Sequence, residues 1–134
     1  MEILLRLLIL VLTALFAGRT DSVSGPPPQD DDQPTFESFM VIENVTPTLL
    51  ESAPPQVRLN VTGYQPDGCV YPVEVRQSRV ENMIRIEIFR VMPLAAMCSM
   101  QIVPYQAEIM VEARFDAPGA YTIIVNEYML DITL

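Results

Sequence analysis

From Val57 to Thr62 apolar and polar residues alternate strictly, with Val57, Leu59 and Val61 set against Arg58, Asn60 and Thr62. This is the two-residue period of a strand with one buried face. Ile84, Ile86 and Ile88 repeat the pattern against Arg85, Glu87 and Arg90, which places those charged residues on the wet side. Looser versions run through residues 40–45, 71–77, 108–114, 121–126 and 129–133. No helical period of useful length follows Phe36. Turn-forming residues punctuate the segments at Pro54-Pro55, Pro66-Asp67-Gly68, Glu81-Asn82, Met92-Pro93, Val103-Pro104, Ala117-Pro118-Gly119 and Asn126-Glu127. About seven short strands so divided predict an all-β fold, an antiparallel two-sheet sandwich of immunoglobulin-like type.

The pattern changes before residue 36. Residues 7–17 are apolar apart from Thr13 and follow a single Arg6, which reads as a signal peptide or an uncleaved N-terminal anchor helix over 1–18. Residues 19–35 are rich in Pro and Asp and carry almost nothing to bury, so they read as a disordered linker. Within it, Asp30-Asp31-Asp32 lacks the alternating oxygens and turn glycine of a calcium loop and reads as a solvated charge run. The sandwich is expected over 36–134.

Two cysteines, Cys69 and Cys98, are all the chain contains. In an exported domain such a pair is most simply a disulfide, which gives a secreted or extracytoplasmic location, with membrane anchoring through an uncleaved N-terminus as the alternative. Cys69 follows a turn, and Cys98 lies in a long connection between Arg90 and Ala107. The bridge is therefore expected to pin that connection to the edge of the sandwich; an antibody-type bridge would cross the core.

Charge and composition then remove functions. The 134 residues carry net charge −9, every basic residue is Arg, and there is no His. An acidic surface without a basic stripe excludes nucleic acid as the expected partner, and contact with membrane is expected only through the N-terminal segment. Without His or Lys, Ser78, Ser99 and the threonines lack a base to activate them. The acid pairs Glu108 with Glu112 and Asp116 with Asp131 read as solvated strand faces; a glycosidase dyad would need sugar platforms that this composition lacks. No enzyme, cofactor or resident metal is expected.

Several segments carry a family resemblance. Leu50-Glu51-Ser52-x-Pro54-x-Gln56-Val57, Gly63-x-x-Pro66-Asp67-Gly68-Cys69, Gln77-Ser78-Arg79, Cys98, Pro104-Tyr105 and Pro118-Gly119-x-Tyr121-Thr122-x-x-Val125-Asn126 occur in this order. Over residues 49–134 the chain resembles a small immunoglobulin-like domain common in bacterial envelope and secreted proteins. That resemblance implies export, a disulfide between the two cysteines, and a penultimate strand turning into the last hairpin at Val125-Asn126. Glu127 stands where the family has Gly, which argues against a tight two-residue turn with positive φ at this hairpin.

The remaining candidate chemistry concentrates between Val91 and Tyr105. This connection is apolar at Met92, Leu94, Met97, Met100 and Val103, and one cysteine staples it. Met92, Leu94, Met97, Met100 and Tyr105 are the candidate binding residues of this loop, and a lid folded onto the core is the competing reading. Met92, Met97, Cys98 and Met100, with Met83 and Met110, also suggest a copper(I) set, although scattered Met more often fills cores. Asn44-Val45-Thr46 and Asn60-Val61-Thr62 match glycosylation sequons but read as Asn and Thr on a wet strand face. The leading expectation is a binding or structural module of the cell envelope that recognises an unspecified protein or envelope component by surface complementarity. The alternatives are an extracellular protease inhibitor presenting the 91–105 loop, and a Met-rich copper(I)-binding protein.

Overall fold

A computed structural model describes residues 33–134; the expected signal or anchor over 1–18 and most of the expected linker lie outside the described residues. Eight strands form, β1 (Thr35–Phe39), β2 (Val41–Leu50), β3 (Gln56–Gln65), β4 (Val73–Val80), β5 (Met83–Pro93), β6 (Val103–Met110), β7 (Ala120–Val125) and β8 (Tyr128–Thr133). They make an all-β sandwich of two sheets, one of β2-β3-β6 and one in which β5 is flanked by β4, β1 and β7, with β8 outermost beside β7.

The alternating rows face each other across the core. Val57, Leu59 and Val61 from β3 meet Ile84, Ile86 and Ile88 from β5, joined by Ile123 and Val125 of β7. All eight of these side chains are buried. Phe115 packs edge-on against Tyr121 with ring centroids 4.9 Å apart, closing one end of this cluster.

Four expectations need correction. The sandwich has an eighth strand, β1, whose five residues follow the Pro- and Asp-rich run and show little pattern of their own; pairing with the long β5 makes them a strand. Pairing is not wholly antiparallel, because β5 and β7 run parallel over Met83↔Thr122 to Ile86↔Val125. Arg90 is not on the wet side. It has the same parity as Ile84, Ile86 and Ile88, so the strand period turns it inward, where it is fully buried. The last hairpin is tight despite Glu127: Val125 pairs with Tyr128 and Asn126 takes φ 53°. Asn tolerates that left-handed conformation far better than most residues, so the loop does not depend on a following glycine.

The edge of β5 opposite β4 is divided between two neighbours. β7 covers Met83 to Ile86 and β1 covers Phe89 to Pro93, which leaves Glu87 and Ile88 between them. The side chain of Asn126 fills the gap. Its Oδ1 accepts from Ile88 N at 2.8 Å, while Nδ2 donates to Ile88 O at 3.0 Å and to Met40 O at 2.7 Å. A carboxamide carries the same donor and acceptor as a peptide unit, so it continues the ladder where the main chain is interrupted.

Other motif residues also have structural work. A Cβ at Gly63 would stand 2.0 Å from Val41 O beside the β2 bulge, so the close approach of β2 to β3 requires glycine. Gln77 reaches from β4 to the opposite strand's end, donating to Met110 O at 3.0 Å and accepting from Glu112 N at 2.9 Å. Arg79 donates to the Arg114 carbonyl on the same segment. The two sequons lie side by side on the outer face of β2 and β3. Asn44 pairs with Thr62 and Thr46 with Asn60 around the buried Val45 and Val61, the arrangement expected of structural Asn and Thr.

Candidate functional site: a stapled apolar tip

The turn Pro66-Asp67-Gly68-Cys69 follows β3 and is built around its aspartate. Asp67 Oδ1 accepts from Cys69 N at 3.0 Å, the local side-chain bond that Asp makes readily in turns. Gln65 Nε2 adds bonds to the carbonyls of Asp67 at 2.6 Å and Cys69 at 2.8 Å. Arg90 reaches this turn from β5 and grips both carboxylate oxygens, at 2.9 and 2.7 Å. It also donates to Cys69 O at 2.8 Å and Ser38 Oγ at 3.1 Å, so the buried guanidinium ties β1, β5 and the turn together. A fork-shaped cation is suited to this bidentate grip, which a lysine would not reproduce. The Arg90 guanidinium holds the Asp67 carboxyl below the ordinary carboxylate range; the Cys69 amide adds to that and partial desolvation opposes it.

Cys69 and Cys98 form the expected disulfide, with Cα atoms 5.1 Å apart. The bridge joins the anchored turn to the β5–β6 connection and does not cross the core. Gly68 N donates to Ser99 O at 3.0 Å, and a Cβ at Gly68 would meet Ser99 Oγ at 2.0 Å, so turn and connection touch closely on the other side of the bridge as well. Asp67 and the two cysteine sulfurs lie within 4.8 Å of one another. They make no ligand set, because the sulfurs are bonded to each other and the carboxylate is held by Arg90.

The connection itself is shorter than expected, since β5 runs to Pro93 and β6 starts at Val103. The candidate loop residues therefore separate. Met92 is buried inside β5, and Tyr105 sits half-buried in β6 against the core, where burial pushes its hydroxyl pKa up. Leu94, Met97 and Met100 lie in the connection proper, 60%, 97% and 96% exposed, so it is not folded down as a lid. Ile102 at 60% and Val70, beside Cys69, at 95% extend the same surface; Ile102 lies within the expected 91–105 loop, whereas Val70 lies outside it. The copper(I) set is dispersed as well. Met92 is in the core, Met83 starts β5 at its other end and Met110 ends β6, leaving only Met97 and Met100 in the loop.

Residues 94–102 contain no charge, and neither do 68–73. Asp67, just before the second stretch, is paired with Arg90. A cleft of about 370 Å³ opens elsewhere, beside Asn126 near Phe39 and Arg85, but the Asn126 amide there is committed to the main chain.

Fold and site define a class: a disulfide-stapled β-sandwich whose motif residues brace a projecting apolar tip. The chain belongs to the ORF11 beta-sandwich domain family, which it matches over residues 59–134. It is 42% identical over 88 residues to an uncharacterized 10.2 kDa protein in the HgiCIIM 5' region of Herpetosiphon aurantiacus, covering 66% of this chain and 93% of that protein. A second protein of the same organism, an uncharacterized 10.2 kDa protein in the HgiBIM 5' region, is 41% identical over 76 residues, which is 57% of this chain and 92% of its own length. No solved structure matches the chain. The disulfide is compatible with an extracytoplasmic location, and no helix among the described residues is long and apolar enough to cross a membrane.

Proposed function

We propose that the chain is an exported, non-enzymatic binding module of the bacterial cell envelope that acts by surface recognition through its stapled tip. One observation carries this reading. Met97 and Met100 stand almost fully exposed on a connection that the disulfide, the Asp67–Arg90 pair and the Gly68–Ser99 hydrogen bond hold to the sandwich. Exposed apolar side chains clustered on one loop cost solubility, and a braced support removes the entropy that a free loop would lose on binding.

Site-specific photo-cross-linking of the full chain in intact cells tests the reading. A benzophenone side chain at Met97 is expected to give at least tenfold more adduct with envelope components than one at Val80, an exposed residue that ends β4. Equal yields at the two positions would overturn it.

A further inference from the structure

The tip's chemistry indicates what it meets. Its exposed side chains include the aliphatic or thioether groups of Val70, Leu94, Met97, Met100 and Ile102, with Ser99 and Gln101 the polar ones and no Trp, Arg or charge among them. Protein-binding hot spots are enriched in Trp, Tyr and Arg, and neither Trp nor Arg occurs in residues 94–102 or 68–73. Here the two methionines stand out into solvent, away from the cleft beside Asn126. An uncharged apolar projection of flexible side chains complements a fluid apolar medium, which imposes no shape.

Two further observations point the same way. The chain enters the described unit beside the tip, where Leu94 N donates to Pro34 O at 3.0 Å. In sequence, residues 18–33 connect that point to the apolar run 7–17, whose composition is that of a segment addressed to a membrane. Charge selects among lipids. The chain carries −9, and Asp30, Asp31 and Asp32 precede the tip-side entrance, so an anionic surface would repel it and a zwitterionic one would not.

We propose that the tip formed by Val70 and residues 94–102 inserts into the interface of a zwitterionic lipid bilayer, seating the sandwich tip-down on the membrane. This rests on the recognition reading above and names its partner as lipid. Tyr71, next to Val70, has the amphipathic ring that suits the headgroup level.

Because the chain contains no Trp, a single introduced one reports cleanly. Full-length Met97→Trp, Met100→Trp and Val80→Trp proteins would be mixed with phosphatidylcholine vesicles, with and without bromine on the acyl chains. At positions 97 and 100 the emission is expected to shift to the blue and to be quenched at least threefold more by brominated lipid than at position 80. All three positions are exposed, so the variants are expected to fold, which the wild-type melting curve checks. Emission at 97 and 100 that stays open to aqueous iodide in the presence of vesicles would overturn the proposal. So would shielding that rises with protein concentration without vesicles, which means a second copy covers the tip. Benzophenone adducts at Met97 that are all protein would also overturn it while leaving surface recognition intact; no adducts at all would remove both readings.

Discussion

Two places in this sandwich replace regular strand pairing with a side chain, and they do so in opposite ways. At Ile88 the gap between β1 and β7 is closed by the neutral amide of Asn126. At the end of β5 that leads to the tip, the turn is gripped by a buried cation, Arg90, on the carboxylate of Asp67. The neutral plug imitates a peptide and completes a sheet. The ion pair holds a turn that no sheet holds, and it does so from inside the fold. A charge is worth its desolvation only where it meets several fixed acceptors at once, as Arg90 meets Asp67, Cys69 O and Ser38. The charged brace stands under the tip, where a covalent bridge is also used, so the fold concentrates its strongest devices beneath the surface proposed to function.

The sharpest way to break this comparison is to remove the counter-charge. Asp67→Asn leaves the fully buried Arg90 without its carboxylate, and the expected loss is about 3–5 kcal/mol in urea unfolding. Arg90→Met/Asp67→Asn is expected to recover much of that loss, because an uncompensated buried charge is the costly feature. Failure of the double variant to recover any stability would show that Arg90 acts mainly through its contacts with Cys69 O and Ser38.

Next comes the covalent brace. Cys98→Ser opens a bridge between residues 29 apart in sequence, and loop-closure entropy puts the expected loss at about 3.5 kcal/mol or less. Limited proteolysis should then cut within 94–102 well before the rest of the domain. Cutting that remains uniform would mean that the Asp67–Arg90 pair and the Gly68–Ser99 contact suffice to hold the tip.

The neutral plug should matter less than the charged brace. Asn126→Ala removes three hydrogen bonds to Ile88 and Met40 and puts Ala, which tolerates the left-handed region less well than Asn, at φ 53°, for an expected loss of about 2–3 kcal/mol. Hydrogen exchange should rise first at the Ile88 amide, which would lose its acceptor.

These same residues mark what the sequence made legible and what it did not. The rows Val57-Leu59-Val61 and Ile84-Ile86-Ile88 announced two buried strand faces, and the two cysteines announced a bridge between a turn and a loop, because period and pairing are local or compositional signals. Arg90 reads as a surface residue although the period turns it inward. A charge in a core position is read as surface unless its partner is known, and Asp67 lies 23 residues away. β1 is not legible because its strand state comes from β5, which no pattern within Thr35–Phe39 encodes. Within the proposed site, Leu94, Met97 and Met100 were legible as an apolar run, whereas Met92 and Tyr105 were not separable from them. Which residues of such a run face solvent depends on where β5 ends and β6 begins, and those ends are fixed by partners far along the chain.

The smallest effect separates the two devices most cleanly, because only one of them titrates. Arg90 holds the Asp67 carboxyl below its unfolded value near about 4, so that pair contributes stability that is complete above that value and is lost as pH falls through the lower folded-state value. Urea midpoints of wild type, Asp67→Asn and Asn126→Ala at pH 7, 5 and 3 should therefore diverge in a defined way. The gap between wild type and Asp67→Asn stays constant from pH 7 to 5 and begins to narrow by pH 3, as acid starts to remove from the wild type what the substitution has already removed. The gap for Asn126→Ala stays constant throughout, since an amide has no proton to gain in that range. Arg76 likewise lowers the pKa of Glu37, but both are solvent-exposed and present in all three proteins, so their contribution cancels in each gap. A narrowing gap for Asn126→Ala, or an unchanging one for Asp67→Asn, would mean that the two braces do not differ in the way their chemistry requires.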